Sequence, residues 1–261
     1  MSEILTERAG SILRVTLNRP AKKNAMTSAM YLELAEAFKS AATDDGIHAV
    51  LWDAAGDSFS AGNDIEDFLK NPPGQGESPQ AVLMKALLGL DKPLVAAVQG
   101  AAIGGGTTLL TFCDVVIAGE SAKFRTPFVD LGLVPEFGSS WSLPMRIGDL
   151  RAAEMILLGA PIEARRAEAL GLVSRVVPDA SLLTAATDTA KALAEKPAGA
   201  VQTCKRLLKR SAREAAEQAF RFEGEEFAKR VRSPEVQAIF KAFLEKHAPG
   251  SKGRQAKEQQ A

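Results

Sequence analysis

Two short glycine-containing segments could present backbone donors to a carbonyl oxygen: Ser60-Ala61-Gly62-Asn63-Asp64-Ile65 and Gly104-Gly105-Gly106. Each follows a predicted strand, over residues 47–52 and 94–98 respectively. Glycine permits tight strand-to-helix turns. If 104–106 opens a helix running through Thr108, Leu109, Leu110 and Phe112, the unpaired N–H groups and positive dipole end of its first turn face whatever docks there. Such a cradle stabilises developing negative charge on oxygen, and it requires no side chain. The alternative reading of the triple glycine is close strand–helix packing.

The surrounding pattern supplies elements to position these turns. Residues 12–17 alternate as a strand, Arg19-Pro20 breaks it, and Met30, Leu34, Ala37, Phe38 and Ala41 recur at helical spacing behind Thr27 or Ser28 as cap. A mobile loop is predicted over 71–76, then a helix ahead of Lys92-Pro93. Short strands follow at 115–118 and 123–125. Asp149 is expected to cap a helix ending at Gly159, Gly171 to end the next, and 173–177 to form the last strand. From Ser181 onward the pattern is helical, broken most clearly at Lys196-Pro197. Strands alternating with helices, then helices alone, predict an α/β core over 1–196, a helical domain over 197–248 and a disordered polar tail over 249–261.

Composition narrows the function classes. The 261 residues are 46% hydrophobic, enough for a buried core, and carry no net charge. The charge is uneven: from Ala200 onward 14 Lys+Arg face 8 Asp+Glu, leaving 18 against 24 in the first 199 residues. That basic tail reads either as solvated helix faces or as a contact for a phosphate-bearing ligand or partner subunit. Without interleaved aromatics at base-stacking spacing it does not predict nucleic-acid binding. No apolar run reaches the roughly 20 residues of a membrane span, Glu3 and Glu7 replace a signal pattern, and Gln259-Gln260-Ala261 is no peroxisomal address, so a soluble cytoplasmic protein is expected. Cys113 and Cys204 predict free thiols, and with only His48 and His247 no metal site is expected.

Several motifs in order carry a resemblance. They are Leu17-Asn18-Arg19-Pro20 with Asn24-Ala25-Met26, Phe59 through Ile65, Ile103 through Gly106 with Cys113-Asp114, and Ala169 through Val173 with Val177. In these the sequence resembles the enoyl-CoA hydratase/isomerase family, the crotonases, over nearly its whole length. The resemblance implies a spiral of ββα units with a C-terminal helical trimerisation region, and acyl-coenzyme A as substrate with no further cofactor. A homotrimer or a dimer of trimers is the implied assembly. The thioester oxygen would be held by the backbone N–H groups of Asn63 and Gly105, without need of the Asn63 side chain.

Hydratases of the family use two glutamates. The matching positions here hold Thr108 and Phe128, neither of which can serve as acid or base for adding water. A carboxylate stands instead at Glu136, in Leu133-Val134-Pro135-Glu136-Phe137-Gly138, a pattern similar to peroxisomal-type Δ3,Δ2-enoyl-CoA isomerases. One base suffices for that reaction. It would face an apolar acyl pocket lined by Phe128, Phe137 and Trp141, where desolvation raises its pKa. The alternative for Glu136 is an acidic residue at a helix start, with Ser139 or Ser140 capping. Asp64 and Asp130 are other carboxylates to weigh, Asp64 as a helix cap, Asp130 as a solvated group or as the unusual base of a hydratase or other lyase, and Asp114 is read as a turn anchor.

Coenzyme A contacts implied by the resemblance are the backbone of Ala61, Asp64 and Ile65 for adenine and pantetheine, Lys22 and Lys23 for the phosphates, and Phe243 and Lys246 from a closing C-terminal element. Each lysine also fits a solvated surface. A rival of another class is a non-catalytic acyl-CoA-binding scaffold that keeps the amide cradle alone.

Overall fold

The computed structural model describes residues 2–71 and 76–247. The chain opens with an antiparallel hairpin, β1 (Ile4–Ala9) and β2 (Ile12–Leu17), and continues through α1 (Ser28–Thr43), β3 (Ala49–Ala54), α2 (Ile65–Lys70), α3 (Pro79–Gly89) and β4 (Leu94–Val98). Next come β5 (Ala101–Ile103), the single-turn α4 (Gly105–Thr108), β6 (Val115–Gly119) and β7 (Lys123–Arg125). The helices α5 (Ser139–Ile147) and α6 (Asp149–Leu158) lead to β8 (Ile162–Glu163), α7 (Ala164–Leu170) and β9 (Arg175–Val177). Three helices follow: α8 (Leu182–Ala194), α9 (Ala198–Val231) and α10 (Pro234–His247).

Six strands form one sheet in the order β1-β2-β3-β4-β6-β9, parallel beyond the first hairpin, and β5-β7-β8 form a second. The inner strands are buried on both faces, as parallel strands must be when crossover helices cover them. On β3 the two-residue period sorts the side chains. Val50 and Trp52 pack in the core that holds Met30, Leu34 and Phe38 of α1 and Leu83 and Leu87 of α3, whereas Ala49 and Leu51 join Leu182, Ala186 and Ala190 of α8. A third cluster, built from Phe68, Phe128, Leu133, Phe227, Val231 and Phe240, ties α2 and the 3-10 turn Val129–Leu131 to the C-terminal helices.

The elements differ from the sequence expectation in ways with physical causes. Strand β1 has one buried residue and five exposed ones, so it lacks the alternation that marks a strand and is held by its ladder to β2. Asp149 does not cap α6: Gly148 is the N-cap and no side chain bonds there. Neither Ser139 nor Ser140 caps α5, which starts from Gly138. Thr27 does cap α1 by accepting from the Met30 N–H, and Gly159 and Gly171 end their helices in the left-handed conformation. Pro197 immediately precedes α9. Most of the predicted loop at 71–76 and all of the predicted tail at 249–261 lie outside the described residues. Among the described residues no helix is long and apolar enough to cross a membrane, and no cluster of His, Cys, Asp or Glu could hold a metal.

A close backbone approach sets the Gly62 turn against β5. At Gly62, with φ at +85°, a Cβ would stand 2.7 Å from the Ile103 carbonyl oxygen. Gly62→Ala is therefore expected to lose about 1–3 kcal/mol of unfolding free energy in urea titrations. Gly10→Ala, with a similarly positive φ of +62° but open space around it, should cost less. Equal losses at the two positions would mean that the contact with Ile103 is not what restricts residue 62.

Candidate active site

Backbone pairing brings the two glycine segments together. Ser60 accepts from the Ile103 N–H and donates to the Ala101 carbonyl, both at 2.9 Å, and so runs beside β5. A buried asparagine braces this loop from below: Asn24 donates to the carbonyls of Ala55 and Ser58 at 2.8 Å each, and its own carbonyl accepts from the Ser60 hydroxyl. Met26 then bridges the next stretch, its N–H bonding Gly62 O and its carbonyl accepting from the Asp64 N–H. These two bonds straddle Asn63 and leave the Asn63 N–H out of the ladder. In the other segment Gly104 has φ +53° and its N–H is taken by the Arg125 carbonyl, so Gly105, first residue of α4, presents a first-turn amide with no backbone partner, directed toward Glu136.

Glu136 lies against this pair. It is 7% exposed. Its Oε2 accepts from Asn63 Nδ2 at 2.7 Å, and Asn63 Oδ1 in turn accepts from the Tyr31 hydroxyl at 2.6 Å. Tyr31 is fully buried, and its pKa is pushed up by that burial and then by the negative charges of Glu136 and Asp67, so the hydroxyl keeps its proton and can donate, while an ionised Glu136 can only accept. That fixes the amide with its NH₂ toward the carboxylate. Glu136 Oε1 is buried without a hydrogen-bond partner, and a Cβ built on Gly105 would stand 3.2 Å from it. Burial raises the Glu136 pKa to about 7; the Asn63 bond opposes the rise, the charge of Glu223 adds to it, and the Gly105 amide opposes it. The carboxyl faces a cavity of about 310 Å³ walled by Phe68, Phe137, Phe220 and Phe227.

This arrangement combines two amides left out of backbone pairing with one carboxylate of raised proton affinity, a combination suited to stabilising and protonating an enolate. Residues 7–254 match the family described as Enoyl-CoA hydratase/isomerase. The chain belongs to this family. It is 38% identical over 217 residues to enoyl-CoA delta isomerase 2 of Rattus norvegicus, covering 81% of this chain and 55% of that protein, so the chain spans about half the length of this relative. It is 34% identical over 255 residues to 2,3-dehydroadipyl-CoA hydratase of Escherichia coli K12, covering 97% of this chain and all of that one. An enoyl-CoA hydratase/isomerase structure from Pseudoalteromonas atlantica superposes with a TM-score of 0.90 at 38% identity, over 95% of this chain and 99% of the other. The architecture is thus the crotonase spiral of ββα units with a helical C-terminal region.

Within this crotonase framework the remaining sequence-predicted residues fall in different places. Phe137 lies on the Glu136 cavity and contacts the Tyr31 ring at 5.6 Å between centroids. Phe128 is buried with Phe68 and Phe227, and its ring edge would be 3.9 Å from a Cβ on Gly104. Trp141 does not line the Glu136 cavity; it borders a separate cavity of about 620 Å³ with Phe112, Met145 and Lys205. The left-handed residues Phe137 and Gly138 and the first turn of α5 rotate it away, a change of direction that sequence spacing does not reveal. Thr108 is buried with an unpartnered hydroxyl, and Asp130 is half-exposed and paired with Arg125.

The groups matched to coenzyme A lie on several elements, and none of them lines the Glu136 cavity. Ala61 donates its N–H to the Lys23 carbonyl, and Lys22 is exposed beside Glu66. The Asp64 carboxylate is occupied by the Asp67 N–H, as the cap of α2, and by Arg19 at 2.6 Å, while its backbone N–H donates to the Met26 carbonyl and its carbonyl accepts from the Phe68 N–H. Ile65 begins α2 and packs against the third cluster, while Phe243, 38% exposed, and Lys246 lie on α10. In the basic tail, Lys205 and Lys209 are paired with Asp114, which also accepts from the Leu94 N–H and so anchors its turn. Cys113 is buried, with its thiol pKa pushed up to about 12, and both cysteines are free.

Sequence reading passed over two residues. Tyr31 sits among Met30, Leu34 and Ala35 and reads as core; Glu223 sits beside Glu225 and Glu226 and reads as a solvated face. Only the fold shows that one orients Asn63 and the other is 7% exposed beside the turn that carries Glu136.

A raised carboxylate pKa has a fixed consequence for stability. The folded chain holds the Glu136 proton up to about 7, whereas the unfolded chain releases it near 4.5, so stability falls as pH rises through that window. Glu136→Gln is expected to be more stable than the native chain by on the order of 3 kcal/mol at pH 8, and the gain should vanish below about pH 4.5. Thermal unfolding at pH 4 and pH 8 checks it; a gain of equal size at both would show that ionisation of Glu136 is not the cause.

Proposed function

We propose that this crotonase is a Δ3,Δ2-enoyl-CoA isomerase with Glu136 as its single base. The observation that carries the reading is one buried carboxylate beside two amides left out of backbone pairing, and no carboxylate at positions 108 or 128. The thioester oxygen of a 3-enoyl-CoA is received by the Asn63 and Gly105 N–H groups. Glu136 Oε1 takes a proton from C2 as the electron pair delocalises onto the thioester oxygen, forming a dienolate. The same oxygen returns the proton to C4 as the double bond settles between C2 and C3. Oε2 keeps its bond to Asn63 throughout, so Oε1 is the proton carrier. Each amide donor supports such an oxyanion by about 3–4 kcal/mol of barrier.

Hydration would require a second group to activate water. Glu223 also borders the cavity, but both its oxygens are engaged by backbone N–H groups. The coenzyme A assignments belong to the same proposal: backbone of Ala61, Asp64 and Ile65 for adenine and pantetheine, and Lys22, Lys23, Phe243 and Lys246 for the nucleotide. So does assembly into a trimer or a dimer of trimers, which is supported by exposed apolar side chains at Met145, Leu150, Leu157 and Leu158 on α5 and α6.

Purified protein should convert 3-hexenoyl-CoA to 2-hexenoyl-CoA with negligible hydration of crotonyl-CoA, and Glu136→Gln should lower isomerisation by about 1000-fold or more. Hydration that survives in the variant would overturn the assignment of the base. Because the base must be ionised, kcat/KM should rise about tenfold per pH unit below its pKa and level off above about 7; a flat profile from pH 5 to 8 would contradict it. Sedimentation equilibrium should give a trimer or hexamer, and a monomer at micromolar concentration would remove the assembly from the proposal.

A further inference from the structure

Glu223 is a buried carboxylate that the proton shuttle does not use, delivered from α9, 87 positions beyond Glu136. Its Oε2 accepts from the Gly138 N–H and its Oε1 from the Ser140 N–H, both at 2.6 Å. Those donors belong to the turn that starts α5, where Phe137 and Gly138 are both left-handed, with φ of +56° and +68°. Phenylalanine rarely adopts that conformation, and it persists only where surrounding contacts impose it. No side chain of α5 itself caps the helix, so the carboxylate of a distant helix fills that role. Glu136 is the residue immediately before this turn.

We propose that Glu223 is a positioning residue: by gripping the Gly138 and Ser140 amides it imposes the left-handed Phe137–Gly138 turn and thereby aims Glu136 at the amide pair. The inference rests on Glu136 being the base. Reach and charge are separable in this role. Glutamine keeps the reach but has only one oxygen acceptor and no charge, so one of the two amides is left unpaired. Aspartate keeps the charge but is one methylene too short to span both amides. The groups facing Glu136 are Tyr31 from α1, Asn63 ahead of α2, the Gly105 amide from α4 and Glu223 from α9, with Glu77, Arg221 and Glu225 on the cavity rim. Removing the negative charge of Glu223 therefore lowers the proton affinity of Glu136.

The test is isomerisation of 3-hexenoyl-CoA over pH 5–9 by the full-length chain, native and as Glu223→Gln, Glu223→Asp and Glu136→Gln, with circular dichroism of each. Both Glu223 variants should lose about 10- to 100-fold in kcat, with KM changed less than about threefold. The rising limb of kcat/KM should move to lower pH in Glu223→Gln and stay in place in Glu223→Asp. Native kcat in both variants, or a loss without movement of the limb in Glu223→Gln, would overturn the inference; should one variant fail to fold, the kcat and limb of the other decide it. Retained activity in Glu136→Gln would instead overturn the base assignment on which it rests.

Discussion

The site is governed by a carboxylate buried without a cation. No positive side chain is among the groups that shift Glu136; one amide NH₂ holds one oxygen and a backbone amide lies near the other. Burying a charge in this way is unfavourable unless hydrogen bonds replace water. The fold responds by supplying limited compensation, enough for the carboxylate to exist near neutral pH and too little to hold it there firmly. A group balanced in this manner can take a proton from carbon and give it back.

That balance depends on backbone geometry more than on side chains. Asn63 serves twice: its N–H is left out of pairing by the Met26 bridge, and its side chain is oriented by Tyr31 to donate to Glu136. Gly105 likewise offers an amide and, lacking a Cβ, leaves room for Glu136 Oε1 and the Phe137 ring, each 3.2 Å from where that atom would be. The parallel sheet and its covering helices hold these turns rigidly at strand ends. The same packing that stabilises the core thus sets the position of the donors.

The C-terminal helices are part of the site as well as an appendage. Phe227, Val231 and Phe240 bury against Phe68 and Phe128, Phe220 contacts Phe137 at 6.2 Å, and Glu223 grips the turn after Glu136. A hydrophobic cluster and a buried carboxylate therefore couple the docking of α9 to the turn that follows Glu136. Charge in this helix is likewise absorbed internally where Lys205 and Lys209 meet Asp114, which limits what its basic composition says about ligands.

Local chemistry was legible in the residues themselves. The strands β2, β3 and β4, the helix α1 with its Thr27 cap and the glycine turns at 62 and 104 follow from periodicity, capping and composition, because each depends on neighbours within a few positions, whereas Glu136 stood out only through the resemblance to the isomerases. Contacts across the chain were not. Tyr31 meets Asn63 across 32 positions, Asn63 meets Glu136 across 73, and Glu223 meets Gly138 across 85. Trp141 is turned away from the Glu136 cavity by a left-handed phenylalanine that no propensity favours. Sequence determined which groups could do chemistry; tertiary packing decided which are desolvated, which amides stay unpaired and which oxygen of Glu136 is free, since burial and orientation are properties of the assembled core.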